Sequence, residues 1–251
     1  MKITVLGSGT SHGVPVIGCS CPVCTSKNPK NNRTRSSIWV RTESQSILVD
    51  TATEFRIQAV RAGIKQLDAI LYTHAHADHI HGLDDIRPLC RKTPIPIYGN
   101  ARTIEEISHR FDYIFRDTQK GGGKPKIDPV IIGSEIIRIG RMEIMPIPLK
   151  HGNLDIFGYR FGPFAYLTDC SEVPEESMKK LKDLKYLIID ALRHEPHPTH
   201  FSVSEAVDII RKLGPEKAYL THICHALEHE KLSKELPAHI RPAWDGMIIE
   251  C

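Results

Sequence analysis

An apolar run from Leu67 to Tyr72 ends in Thr73-His74-Ala75-His76-Ala77-Asp78-His79. Three imidazoles and one carboxylate fall within the six residues from His74 to His79, at the mouth of what reads as a buried strand. Side chains on an extended chain repeat every second residue, so His74 and His76 point the same way. Asp78 and His79 fall where the chain turns into residues 80–90, which read as a helix, and such a turn aims them at the same hollow from a second direction. Imidazole nitrogen and carboxylate oxygen suit zinc, iron, manganese or nickel, and His81 lies just beyond. A polar surface loop explains any one of these histidines but not the string His-x-His-x-Asp-His. The fold has to build a metal site at the end of this strand.

The string resembles the metal-binding motif of the metallo-β-lactamase superfamily. That resemblance implies an α/β fold, an αββα sandwich of two facing β-sheets with helices outside, as a single domain over 1–251. It also implies further ligands at strand ends. Three residues answer: His151 after Leu149-Lys150, Asp169 after Leu167-Thr168, and His222 after Leu220-Thr221. By the same resemblance His74, His76, His151 and Asp169 hold one metal, and Asp78, His79, Asp169 and His222 hold the other, Asp169 bridging. Two divalent ions, manganese or zinc, outweigh the two carboxylates and leave a site that welcomes a phosphodiester anion. Water bridging such ions can have its pKa lowered to ~7, which makes a hydroxide nucleophile at neutral pH.

The remainder of the chain supports one globular unit. Its 41% hydrophobic content is enough for a core, its 25% charged residues are ordinary, and its net charge of +3 is too small to argue for nucleic acid or an anionic membrane. The N-terminus reads as a short strand from Ile3 to Leu6 rather than a signal peptide, and no stretch approaches a membrane span. A cytoplasmic protein is the expectation. Gly7-Ser8-Gly9-Thr10 is open to two readings, an anion-binding loop or a tight turn. Arg33 and Arg35 are candidates for a substrate phosphate, though solvated arginines are commoner.

A hairpin is expected over 36–50, a helix capped by Thr53 and ended by Gly63, and a strand at 94–98. A helix over 103–115 should bury Ile104, Ile107, Phe111 and Ile114. Residues 119–126, Gln-Lys-Gly-Gly-Gly-Lys-Pro-Lys, read as a mobile loop with a lid as one role. Strands follow at 136–139, 142–149, 156–161, 164–168, 186–190 and 217–220. Helices are expected at 174–181 and at 203–213, the latter opened by Ser202 and Glu205 as a capping box.

The odd count of seven cysteines suits metal ligation in a reducing compartment better than disulfides. Cys19, Cys21 and Cys24, in a loop at 18–25, are one ligand short of a tetrahedral site. His225, three residues after His222, completes a closed Cys₃His set for one structural zinc that ties the N-terminal loop to the C-terminal segment.

Together, Gly7-Ser8-Gly9-Thr10, the cysteine loop, the histidine string, Thr221-His222-x-x-His225 and Asp245-Gly246-Met247 resemble the phosphoribosyl 1,2-cyclic phosphate phosphodiesterase (PhnP) subfamily over nearly the whole chain. The resemblance implies hydrolysis of small cyclic phosphodiesters, 5-phosphoribosyl 1,2-cyclic phosphate or 2′,3′-cyclic nucleotides. Asp78 is then catalytic as well as ligating, and His200 is the candidate proton donor to the leaving alkoxide, with His194 and His197 as competitors. Rival readings are a tRNA 3′-processing endoribonuclease, a thioester or lactam hydrolase, and a catalytically silent zinc-binding relative. A small phosphodiester is the expected partner, nucleic acid and membrane are not, and a homodimer is compatible with the sequence.

Overall fold

The computed structural model describes residues 1–116 and 123–251. The first half of the chain forms β1 (Lys2–Gly7), β2 (Ser37–Arg41), β3 (Ser46–Val49), α1 (Phe55–Ala62), β4 (Ala69–Leu71) and α2 (Ala77–Ile80). It continues through β5 (Ile95–Gly99), α3 (Ala101–Arg110), α4 (Asp112–Phe115) and β6 (Ile127–Ile131). The second half forms β7 (Ile137–Ile139), β8 (Met142–His151), β9 (Leu154–Phe161), β10 (Phe164–Leu167), α5 (Glu175–Lys180) and β11 (Tyr186–Asp190). It ends with α6 (Val203–Leu213), β12 (Lys217–Thr221), α7 (His229–Glu235), β13 (Ile240–Pro242) and β14 (Ile248–Glu250).

Two sheets result, ordered β14-β1-β2-β3-β4-β5-β6 and β13-β12-β11-β10-β9-β8-β7. The halves repeat one pairing scheme. Strands β1 to β3 are antiparallel and β3 to β6 parallel; β8 to β10 are antiparallel and β10 to β13 parallel. Side chains that alternate along each strand divide between two cores. Ile38, Val40, Ile47 and Val49 point between the sheets, where they meet Ile144, Tyr159, Tyr166 and Ile188 of the other sheet. Trp39 and Leu48 point outward onto a core shared with Phe55, Ile104 and Ile107 of α1 and α3. Leu187 and Ile189 likewise face Ala206 and Ile210 of α6. Strands covered on both faces read as unbroken apolar runs, and helix on sheet on sheet on helix is the expected αββα sandwich. Among the described residues no helix is long and apolar enough to cross a membrane.

Local expectations fail where tertiary contacts override them. The helix expected over 80–90 is one turn of α2 and a 3-10 turn, Leu83–Ile86. Gly82 lies so close to the loop after β3 that a Cβ on it would sit 2.1 Å from the Ala52 carbonyl. Thr53 does not cap α1, whose N-cap is Glu54 without a side-chain bond, whereas Gly63 ends it at φ 71°. The helix expected over 103–115 starts earlier, on an Asn100 cap, and breaks at Phe111 into α3 and α4, with its four apolar residues buried as expected. Strand β6 was hidden by Pro129 and by its mostly exposed edge position. Of the proposed lid, 119–122 lie outside the described residues, while Lys126 is held by its backbone N–H to the Cys90 sulfur.

The Gly7-Ser8-Gly9 loop is a turn whose N–H groups are spent inside the protein. Ser8 donates its backbone N–H and its hydroxyl to Oδ1 of Asp245, at 3.0 and 2.9 Å, and Gly9 donates to the Thr34 carbonyl. A Cβ on Gly7 would meet the Arg35 carbonyl at 2.0 Å, so the glycine there serves backbone approach rather than an anion. Neither arginine offered for a phosphate is free for one. Arg33 is fully buried and donates to the Cys224 and Leu227 carbonyls, and Arg35 pairs with Glu54.

Candidate metal centre

The repeated pairing scheme has a chemical consequence. Strands β3, β4, β8, β10, β11 and β12 all end on the same rim of the sandwich, and each end carries a polar side chain. Asp50 follows β3, His74 to His79 follow β4, and His151 closes β8. Asp169 lies just past β10, Asp190 closes β11 and His222 follows β12. Four non-glycine residues of the described chain have positive φ, and three of them are Asp50 (63°), Asp169 (55°) and His222 (59°). A left-handed residue within two positions of a strand end swings its side chain across the rim, at a cost of about 1–2 kcal/mol each. Strain of this kind, repeated at three converging residues, marks a built site.

Two donor clusters form there, His74 with His76 and His151, and Asp78 with His79, Asp169 and His222. Asp169 sits between them: Oδ1 is 3.2 Å from His79 Nε2, while Oδ2 is 3.3 Å from His222 Nε2 and 3.8 Å from His74 Nε2. His79 Nε2 is also 3.3 Å from Asp78 Oδ2. His200 stacks on His222 with ring centres 4.6 Å apart and lies 4.7 Å from His151. His194, in contrast, is exposed and paired with Glu235, and His197 lies one ring further out, 5.2 Å from His200. His81 stands apart from both clusters, edge-on to Phe111.

A second tier of groups, unseen in the sequence, fixes these rings. Asp50 accepts from the Thr73 backbone at 2.8 Å and stands 2.7 Å from His79 Nδ1. The Thr73 hydroxyl bridges Asp50 and His74 Nδ1, and His151 Nδ1 donates to the Thr199 carbonyl at 2.7 Å. Asp190 Oδ1 lies 3.4 Å from His200 Nδ1 and 3.5 Å from His222 Nδ1, while its Oδ2 accepts from the Phe201 backbone. In the sequence Asp190 is visible only as the end of an apolar strand, and Asp50 has no expected role. In both cases the signal was a carboxylate closing an apolar run.

The residues fit divalent ions on two observations. Buried His74 Nε2, Asp78 Oδ2, His79 Nε2 and His222 Nε2 have no hydrogen-bond partner, which in a protein interior is costly unless something else satisfies them. The electrostatics agree. Burial, with His79 adding to it, pushes the His74 imidazole well below its ordinary range, and burial lowers His76 and His151 as well, so these rings are neutral, the form that ligates. Burial alone would raise Asp78 and Asp169, but the neighbouring histidines outweigh it and hold both carboxyls below their usual range. His79 is pulled the other way: burial opposes its charge, yet Asp169, Asp78 and Asp50 raise it well above the ordinary imidazole value. The cluster thus demands positive charge, which divalent cations would supply.

The second metal candidate lies alongside. Cys19, Cys21 and Cys24 place their sulfurs 3.2, 3.6 and 3.5 Å from His225 Nδ1. The Cys24 backbone N–H stabilises the Cys21 thiolate and brings that thiol down to about 6, while burial takes Cys24 up to about 11. Ile223 pairs with the loop after β1 through the Ser8 carbonyl and the Thr10 N–H. The strap from His222 to His225 therefore joins one cluster to the other.

Comparison with known proteins agrees with this arrangement. The model of the β-lactamase superfamily domain matches residues 45–223. A solved structure described as a new diphosphatase from the PhnP family superposes with a TM-score of 0.94 at 45% identity, covering 100% of this chain and 97% of that one. An octanoyltransferase of Porphyromonas gingivalis is 36% identical over 98% of this chain, and a ribonuclease Z of Clostridioides difficile is 24% identical over 69% of it. The chain spans 51% of the length of the first of these and the match covers 60% of the second.

Proposed function

This chain belongs to the metallo-β-lactamase superfamily and within it to the PhnP family, and from that membership we propose a metal-dependent phosphodiesterase acting on small cyclic phosphodiesters. The observation that carries the reading is the convergence of His74, His76, His151, Asp78, His79, Asp169 and His222, with unpartnered buried nitrogens, on one rim beside His200. Two bound divalent ions, manganese or zinc, would supply Lewis-acid charge and a nucleophile at neutral pH. Asp169 would bridge them, with His74, His76 and His151 on one side and Asp78, His79 and His222 on the other.

The chain's own part is orientation and proton delivery. Thr73, Asp50 and the Thr199 carbonyl fix the tautomers of His74, His79 and His151, leaving each Nε2 turned inward. His200 donates its proton to the departing alkoxide. Asp190 receives the Nδ1 side of that ring, which orients it and keeps Nε2 toward the substrate. His200 is the donor favoured here over His194 and His197, because it alone of the three contacts ligand histidines. The cysteine cluster with His225 would hold one structural zinc.

Ribonuclease Z relatives favour a second reading, cleavage of RNA. One panel separates the two: metal-reconstituted protein assayed on ribose 1,2-cyclic phosphates, 2′,3′- and 3′,5′-cyclic nucleotides, and a precursor tRNA. Fastest turnover of a small cyclic diester is the expected result. Faster cleavage of the tRNA would reverse the ranking.

A further inference from the structure

Arg33 has the largest fully buried side chain among the described residues, and its side-chain hydrogen bonds run to neutral oxygens. Nη1 donates to the Cys224 carbonyl at 2.9 Å, and Nη2 donates to the Leu227 carbonyl at 2.8 Å and to Asn31 Oδ1 at 3.1 Å. Nε is buried without a partner among the described residues. Burial lowers the guanidinium to about 10, so it is still charged at neutral pH. A buried cation with neutral partners and an idle donor is costly, and a methionine would fill the same space without that cost. The fork needs a reason beyond packing.

That reason lies at the two ends of the residue. The main chain of Arg33 pairs with Val14 in both directions, N–H to carbonyl at 2.8 Å each way, which closes the stem of the loop carrying Cys19, Cys21 and Cys24. Its fork spans the two ends of the turn from Cys224 to Leu227, in which His225 is the second residue. The turn's own closing bond, from the Leu227 N–H to the Cys224 carbonyl, is long at 3.4 Å, so the guanidinium is the tighter clamp. Asn31 extends it: Oδ1 accepts from the His229 backbone at 2.9 Å, while Nδ2 donates to Ser26 and Glu228. Upstream on the same strap His222 has a left-handed backbone, a conformation that its surroundings must impose. We propose that Arg33 is a positioning residue for both candidate metal clusters, setting the cysteine loop with its backbone and the strap from His222 to Leu227 with its guanidinium, so that His225 faces the three sulfurs. A guanidinium meets two carbonyls at once in a fixed plane, which an ammonium does not. The assignment rests on the metal-binding reading of the two clusters.

The test compares the intact wild-type chain with Arg33→Met, Arg33→Lys and Asn31→Ala. Zinc affinity of the cysteine cluster is measured by competition with a chelator of known affinity, and the visible spectrum of the cobalt(II)-loaded protein reports the ligand geometry. Arg33→Met keeps all four ligands yet should bind zinc about 10- to 100-fold more weakly, with an altered cobalt spectrum. Manganese affinity at the rim should fall by a smaller factor, through His222. Arg33→Lys, which keeps the charge but not the fork, should lie close to Arg33→Met. Asn31→Ala should show the same changes in milder form, and it reads the clamp if the Arg33 variants fail to fold. Variants that lose melting temperature while keeping the wild-type zinc affinity and cobalt spectrum would overturn the assignment, as would full restoration by Arg33→Lys, and the metal-binding reading would still stand. A wild type that takes up no zinc at the cysteine loop would overturn both.

Discussion

His79 Nδ1 stands 2.7 Å from Oδ2 of Asp50, and both side chains are completely buried. The aspartate cannot reach solvent for a replacement partner, and it also accepts from the backbone and hydroxyl of Thr73. One carboxylate thus sets the tautomer of His79 and the path of the loop leading to His74.

Replacing Asp50 should therefore weaken metal binding without removing a ligand. Asp50→Asn is expected to reduce affinity at the Asp78–His79–Asp169–His222 cluster by about 10- to 100-fold. Competition with a chelator of known affinity measures it. Affinity equal to wild type would remove Asp50 from the account.

His200 and Asp190 make a prediction about the leaving group. His200→Gln should lower kcat on alkoxide-releasing diesters by about 10²- to 10⁴-fold. On a p-nitrophenyl diester, whose leaving group needs no proton, the loss should be slight. Asp190→Asn should follow the same pattern more weakly, since it acts through the ring of His200. Equal losses on both substrate types would mean that His200 holds structure or metal instead of supplying a proton.

The cysteine cluster predicts a change in stability. Cys19→Ser or His225→Ala should each lose one zinc per chain and lower the melting temperature. A loss of about 2 kcal/mol in a domain of this size corresponds to roughly 4–8 °C. Because Ile223 and the strap it belongs to run directly from His222 to His225, turnover should fall as well. Calorimetry with metal analysis checks both, and an unchanged melting curve after zinc loss would show the cluster to be dispensable.

His229 gives a pH dependence away from any metal. It is buried edge-on to Trp244, and burial, with Lys30 and Arg33 adding to it, brings its imidazole down to about 4. Between that value and the ordinary 6.5 the unfolded chain binds the proton and the folded one does not, so stability rises with pH across this window. Acidifying from 6.5 to 4 should cost on the order of 2–3 kcal/mol from this residue. His229→Gln should flatten that part of the profile. Denaturant titrations followed by Trp244 fluorescence would show it, and an identical slope in the variant would contradict the assignment.

The candidate ligand set was legible because it is local: four of its seven members lie within one string, and the others follow apolar runs that a reader can find. The layers were legible for the same reason, since strands such as 186–190 are apolar on both faces. What stayed hidden depends on distance in sequence. Asp50 matters only because β3 pairs with β4, which brings it under Thr73 and His79. Nothing in the sequence announces that Asp50, Asp169 and His222 turn left-handed after their strands, because aspartate and histidine tolerate that conformation without signalling it as glycine would. The break after α2 follows from Gly82 pressing on Ala52, a contact no periodicity encodes.

The most direct measurement is the number of divalent ions bound per chain, counted alongside turnover of a 2′,3′-cyclic nucleotide, in wild type and Asp169→Asn. Wild type should hold two ions at the histidine–aspartate rim and one zinc at the cysteine loop. Asp169→Asn should keep the loop zinc, lose at least one rim ion and lose turnover. A wild type that binds only the loop zinc, or an Asp169→Asn protein that matches it in metal and in rate, would contradict the claim that these strand ends build one two-metal centre.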